Sequence, residues 1–146
     1  MQAHSAPLDI RFYHTDGVNE TVAINRDWDE DAFVSFHGSW NREPPTGYGI
    51  VRIPWSGNAP NLGRDSKDGY SFILQAPDLS ACPDGCFRPV GLTFDPKGRL
   101  FGSSDSTGEI FIIQHSNGNE SNNSASRLLP VTLMWTLAMI SLAYFA

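Results

Sequence analysis

Apolar and polar side chains alternate with a period of two in several short stretches of this chain, and almost nowhere with the 3.6-residue period of an amphipathic helix. Leu8, Ile10 and Phe12 alternate with Asp9 and Arg11, which predicts a strand over residues 8–13. Ala32-Phe33-Val34-Ser35-Phe36 is a short apolar run that also reads as a strand. Residues 49–55 alternate again and run into Pro54. Segments 71–75, 90–94, 99–103 and 109–114 complete a set of seven predicted strands, each bounded by Gly, Pro, Asn or Asp.

The turns between the last strands are the clearest local signals. Asp95, Pro96 and Gly98 occupy positions i, i+1 and i+3 of a type I turn between two apolar segments. Ser104-Asp105-Ser106-Thr107-Gly108 supplies the next turn, and no chemistry is assigned to Asp105. An antiparallel meander results, with Phe94, Phe101 and Phe111 expected in its core. Propeller blades are meanders of four strands and roughly 40–45 residues. Residues 1–115 therefore read as all-β, with two to three blades. A closed propeller needs about four to eight.

The rest of the chain has a different composition. Residues 116–127 are rich in Ser, Asn and Gly, as in a disordered spacer. Residues 128–146 carry no charged side chain and read as a hydrophobic helix. A polar spacer before an apolar tail is the pattern of a glycosylphosphatidylinositol (GPI) signal, with Ser116, Asn117 or Gly118 as attachment residue. A transmembrane anchor is the alternative, since an apolar helix of that length spans a bilayer core. Either places the protein at the cell surface. Asn19, Asn119 and Asn122 begin Asn-x-Ser/Thr glycosylation triplets, which suits the extracellular side.

Charge and cysteine content narrow the partners. The chain of 146 residues has 10 Lys and Arg against 16 Asp and Glu, a net charge of −6, and no basic stripe for nucleic acid. Cys82 and Cys86 flank a Pro-Asp-Gly turn that can bring them into disulfide range. A zinc site lacks two further ligands at sensible spacing. The N-terminal residues have no basic and apolar regions of a signal peptide. Together with the shortage of blades, this leads to the expectation of a C-terminal fragment of a longer secreted propeller.

Three ordered stretches carry a family resemblance. They are Ala3-His4-Ser5-Ala6-Pro7-Leu8, then Ser35-Phe36-His37-Gly38-Ser39-Trp40-Asn41-Arg42 with Pro44-Pro45-Thr46-Gly47-Tyr48, then Cys86-Phe87-Arg88-Pro89-Val90-Gly91-Leu92. Over about residues 2–114 the chain resembles the glucose/sorbosone dehydrogenase family, and within it the fungal pyrroloquinoline quinone (PQQ)-dependent pyranose dehydrogenases. The resemblance implies a six-bladed propeller with PQQ and calcium at the mouth of its channel. It also implies oxidation of a sugar, with electrons passed on to an acceptor.

PQQ carries three carboxylates, which a guanidinium can hold through paired hydrogen bonds. The resemblance puts Arg88 at a cofactor-binding position. Asn41 and Arg42 lie in a polar loop suited to the cofactor or substrate mouth. His37 is a candidate hydrogen-bonding group there, and His4 aligns with a rim position. Trp40 could stack on a quinone or sugar face, or pack inside a blade. The family's catalytic base and calcium ligands belong to earlier blades, so neither histidine is assigned as the base. The expected function is a C-terminal fragment of an extracellular PQQ-dependent sugar dehydrogenase, forming part of the cofactor wall and inactive alone. One alternative is a non-catalytic surface module binding sugar or protein. A weaker one is a lactonase-like propeller, but the acids available, Asp9, Asp27, Asp29, Glu30 and Asp31, show no ligand spacing, and 27–31 reads as a solvated loop around Trp28.

Overall fold

The computed structural model describes residues 1–18 and 21–115. In chain order the strands are β1 (Pro7–Phe12), β2 (Ala32–Phe36), β3 (Gly49–Ile53), β4 (Trp55–Ser56), β5 (Ala59–Pro60), β6 (Ser71–Gln75), β7 (Pro89–Phe94), β8 (Leu100–Ser104) and β9 (Glu109–Ile113). They form a four-stranded sheet in the order β1-β2-β3-β6, a three-stranded sheet β7-β8-β9 and the small hairpin β4-β5. All pairings are antiparallel. Helical structure among the described residues is limited to 3-10 turns at Arg26–Trp28 and Leu79–Ala81. No described helix is long and apolar enough to cross a membrane. Asn19, Asn119, Asn122, Ser116, Asn117, Gly118, the spacer and the apolar tail lie outside the described residues.

Each predicted strand is present, with ends shifted by a residue or so. The segment 49–55 is divided. Pro54 has no N–H for the ladder, so β3 stops at Ile53. Trp55 then opens the β4-β5 hairpin, which turns through Gly57 at φ +59°.

Alternation gives β2 two different buried faces. Phe33 turns toward the second sheet and joins Tyr13, Ile24, Ile50, Leu92 and Leu100 in the main core. Phe94 meets both Tyr13 and Phe33, at ring-centroid distances of 4.9 and 5.4 Å. Val34 and Phe36 face the other way, with Val51, Ile53, Tyr70 and Phe72 around them. Phe94 and Phe111 pack on the main core as expected. Phe101 does not: it alternates with buried Leu100, is half-buried, and lies under the Arg99 guanidinium at 5.3 Å.

A polar seam joins the two larger sheets. Ser35 Oγ donates to the Val90 carbonyl at 2.6 Å and accepts from the Asp9 N–H at 3.0 Å. Asp9 Oδ2 accepts from the Leu92 N–H at 2.8 Å, and Arg11 Nε donates to the Leu92 carbonyl at 2.9 Å. Side chains of β1 and β2 thus satisfy backbone groups of β7 that have no ladder partner. The loop 27–31 is not wholly solvated. Asp27, Asp29 and Glu30 are exposed, but Asp31 is buried and binds Arg52 Nε and the Trp55 N–H. Asp9 and Asp31 therefore both hold partners within the protein and tie neighbouring segments together.

The Asp95 turn forms as expected, with Gly98 N–H donating to the Asp95 carbonyl at 2.9 Å. Gly98 has φ +75°, and a Cβ there would lie 2.4 Å from Val18 Cγ1 and 2.9 Å from Tyr13 Oη. Left-handed backbone costs a side-chain-bearing residue about 1–2 kcal/mol, and the contact adds about 1 kcal/mol. Gly98→Ala should lower unfolding stability by about 2–3 kcal/mol, read as a reduced urea midpoint at unchanged slope. Asp95 itself should shape the acid limb of stability. Burial acts to raise its carboxyl, but hydrogen bonds from Arg99 and Lys97 and the Arg99 charge outweigh it and hold the group below its ordinary 3.8. A lowered folded value means the stabilisation is complete above that ordinary value and fades as pH falls through the folded one. Asp95→Asn should flatten that acid limb, seen by comparing melting temperatures at successive pH values.

Candidate functional site

Antiparallel strands return their loops to common ends. The starts of β1, β3 and β7 and the ends of β2, β6 and β8 share one end of the two sheets. The segments 2–6, 37–48, 76–88 and 104–108 gather there. The Asp95 turn and the loop 13–31 lie at the opposite end.

Arg88 stands one residue before β7, at the centre of this loop cluster. Its N–H donates to Ser104 Oγ at 3.0 Å. Its Nε donates to the His37 carbonyl and its Nη2 to the Gly38 carbonyl, both at 3.1 Å. The guanidinium carbon lies 5.6 Å from the Tyr48 ring centroid. One edge of the fork thus clamps the turn after β2. The other edge, Nη1 with the second N–H of Nη2, makes no hydrogen bond among the described residues. That edge can still take a carboxylate through two parallel bonds.

His37 directly follows β2 and is fixed on several sides. Its N–H donates to the Ala6 carbonyl at 3.0 Å, and its Nε2 lies 3.0 Å from both carboxylate oxygens of Asp105. The hydrogen bond from His37 is the largest influence holding the Asp105 carboxyl below its ordinary value. Next along the chain, Gly38 has φ +94°, and a Cβ there would lie 2.5 Å from atoms of the Tyr48 ring. Tyr48 is fully buried, and its Oη has no hydrogen-bond partner in the described structure.

The remaining candidates spread outward. With the Gln2 amide oriented so that its oxygen meets the guanidinium, Arg42 donates to it from Nη1 and Nη2 at 2.8 and 2.9 Å, and Gln2 donates to Thr46 Oγ1. Arg42 therefore ties the loop 37–48 to the N-terminal segment. Trp40 is 76% exposed, and its indole face is bare among the described residues. Asn41 and His4 are exposed, and their side chains make no hydrogen bond among the described residues. His4 has φ +69°. The Cys82–Cys86 disulfide forms, with Cα atoms 5.2 Å apart. Ser106 Oγ donates to the Cys86 carbonyl at 2.8 Å, so the bridge and the 104–108 turn together hold the approach to Arg88.

The structure brings Arg88 and His37 together, and adds Asp105, Ser104 and Tyr48, which the sequence pattern did not single out. Ser104-Asp105-Ser106-Thr107-Gly108 reads locally as a turn and nothing more. Its partner His37 is 68 residues away in sequence. No local signal could have revealed the pair. Among the described residues there is no group of three or more His, Cys, Asp or Glu able to hold a metal.

A family model described as TrAA12-like matches residues 1–116. The chain belongs to that family. The TrAA12-like stretch is 46% identical over 116 residues to a pyrroloquinoline quinone-dependent sugar dehydrogenase of Hypocrea jecorina, covering 79% of this chain and 22% of that protein. It is 37% identical over 128 residues to a pyrroloquinoline quinone-dependent pyranose dehydrogenase of Coprinopsis cinerea, covering 79% of this chain and 16% of that one. Among solved structures, a Trichoderma reesei Carbohydrate-Active Enzymes Family AA12 protein aligns with a TM-score of 0.64 at 46% identity, covering 76% of this chain and 25% of that chain. The holo form of the pyranose dehydrogenase PQQ domain from Coprinopsis cinerea aligns with a TM-score of 0.60 at 36% identity, covering 77% of this chain and 27% of that chain. The chain thus spans about a quarter or less of the relatives it matches.

Proposed function

We propose that this chain is the C-terminal part of an extracellular PQQ-dependent sugar dehydrogenase, and that it forms one wall of the cofactor site without turning over substrate by itself. The observation that carries this reading is the free edge of Arg88, held at the loop end by two backbone carbonyls beside His37. The two larger sheets would be consecutive propeller blades, the second with three strands among the described residues. Leu8 and Ile10 on β1 are 53% and 46% exposed, and an apolar groove of about 510 Å³ runs between them and Val34, Ile53 and Trp55. Such a bare face suits packing against a further blade.

The donor set fits an anionic planar cofactor. The free edge of Arg88 suits a PQQ carboxylate, and the exposed Trp40 indole suits a flat ring or a sugar face. When bound, PQQ supplies the quinone that takes up the two electrons of sugar oxidation. This chain's own residues would bind and orient. Calcium, present in one of the related structures, would need acidic or carbonyl ligands from elsewhere. A sugar would be the substrate and a separate acceptor would receive the electrons. Outside the described residues, we read 128–146 as a membrane-attachment segment, either a GPI signal or a transmembrane helix. Release from membranes by phosphatidylinositol-specific phospholipase supports the first, and retention the second.

The test of the main reading is PQQ titration of the purified chain, followed by fluorescence quenching, with Arg88→Ala in parallel. Weak saturable binding to the native chain, reduced at least tenfold by the substitution, is expected. Dye reduction with PQQ, calcium and aldoses should be absent. Turnover would overturn the claim of an incomplete centre. Identical, non-saturable quenching in both proteins would favour a surface module that does not use PQQ.

A further inference from the structure

The turn between β8 and β9 touches both inner candidates, although its sequence reads as a plain connection. Ser104 Oγ accepts from the Arg88 N–H, and Thr107 Oγ1 donates to the same Ser104 oxygen at 2.7 Å. Asp105, between them, faces His37 with both carboxylate oxygens at 3.0 Å from Nε2. An ionised carboxylate has no proton to give, so Nε2 must carry the hydrogen in this contact. In the neutral ring, Nδ1 is then a bare acceptor. It has no hydrogen bond among the described residues, and the His37 side chain retains 20% exposure.

We propose that Asp105 is a positioning residue: it fixes the ring and tautomer of His37, so that Nδ1 is the nitrogen His37 presents to a ligand beside Arg88. The functional part of this inference rests on the PQQ reading above; the tautomer part does not. The backbone of His37 is already held by Ala6 and by Arg88. Rotation of the imidazole is the freedom that remains, and Asp105 removes it. Asp105 is 59% exposed by side chain, so its removal leaves no buried cavity and no orphaned buried charge. The pair spans two sheets, and it would therefore also report whether their loop ends keep their mutual position.

Nitrogen-15 spectra of the histidine-labelled full chain at alkaline pH, where imidazole is neutral, give the tautomer directly. The native protein should show His37 with the proton on Nε2. Asp105→Ala should give a mixture with substantial protonation of Nδ1, and Asp105→Glu should restore the single tautomer at least in part. In the PQQ titration, Asp105→Ala should weaken binding about fivefold to tenfold with an unchanged urea midpoint. An unaltered His37 tautomer in Asp105→Ala would overturn the positioning role. A shifted tautomer with unaltered PQQ affinity would overturn its functional half. Were the native chain not to bind PQQ, the cofactor reading and this functional half would both fail, and the tautomer measurement would still decide the positioning.

Discussion

Asp31→Ala should lower the unfolding free energy by about 3 kcal/mol, the lower end of the range for removing one partner of a buried ion pair, because Arg52 keeps 23% side-chain exposure. Asp31 is 4% exposed and stands where three segments meet. Its carboxylate accepts from Arg52 Nε on β3 and from the Trp55 N–H at the start of the β4-β5 hairpin. Its carbonyl accepts from the Tyr13 N–H just after β1. Losing the carboxylate strands the Arg52 guanidinium, which stacks 4.9 Å from the Trp28 ring centroid, and an N–H that no ladder supplies. Asp31→Asn should cost less, since the amide oxygen can still accept one of the two bonds. Urea denaturation of both variants measures the difference. A loss below about 1 kcal/mol for alanine would mean that Arg52 finds water instead, as an exposed pair would.

Gly38→Ala should cost about 4–5 kcal/mol and should also abolish the order of the site. The backbone at φ +94° disfavours any Cβ by about 1–2 kcal/mol. Overpacking against a fixed neighbour adds up to about 3 kcal/mol. The obstruction here is the ring of Tyr48, with three atoms at 2.5 to 2.6 Å from the new carbon and no exposure through which to move. Relief would displace the Gly38 carbonyl from Arg88 Nη2, or the Tyr48 ring from the guanidinium. A reduced urea midpoint together with loss of PQQ quenching is the expected pair of results. Loss of stability with intact quenching would show that the Arg88 clamp does not depend on this turn.

These two residues differ in how far local pattern could reveal them. Gly38 belongs to the stretch that carries the family resemblance, yet its steric reason is Tyr48, ten positions on and pressed against it by the return of the loop 37–48. Asp31 sits in an acidic run that reads as solvated, because charge density in a short window says nothing about which carboxylate turns inward. The strands were legible because period-two alternation needs only neighbours in sequence. The break at Pro54 was legible for the same reason, although the hairpin beyond it was too short to register.

The candidate site divides in the same way. Arg88 and His37 came from motif resemblance, and the fold places them in contact. Trp40 could have been core or surface on sequence alone, and its 76% exposure is set by how the loop 37–48 folds back, with Gly38, Ser39, Thr46 and Tyr48 buried and the indole outside. Phe101 shows the converse: a large apolar residue in a strand reads as core, but the face it occupies depends on register against β7 and β9.

By itself, then, the sequence determined the β-rich meander, the Asp95 turn, the local disulfide and the family, since each rests on residues close together or on an ordered set of motifs. The tertiary structure decided which side chains share a site. The Asp105–His37 pair, the Arg88 clamp on the His37 and Gly38 carbonyls, and the burial of Asp31 each depend on segments brought together by sheet pairing and packing. Hydrogen bonds act over about 3 Å, and only the folded chain brings such distant positions that close.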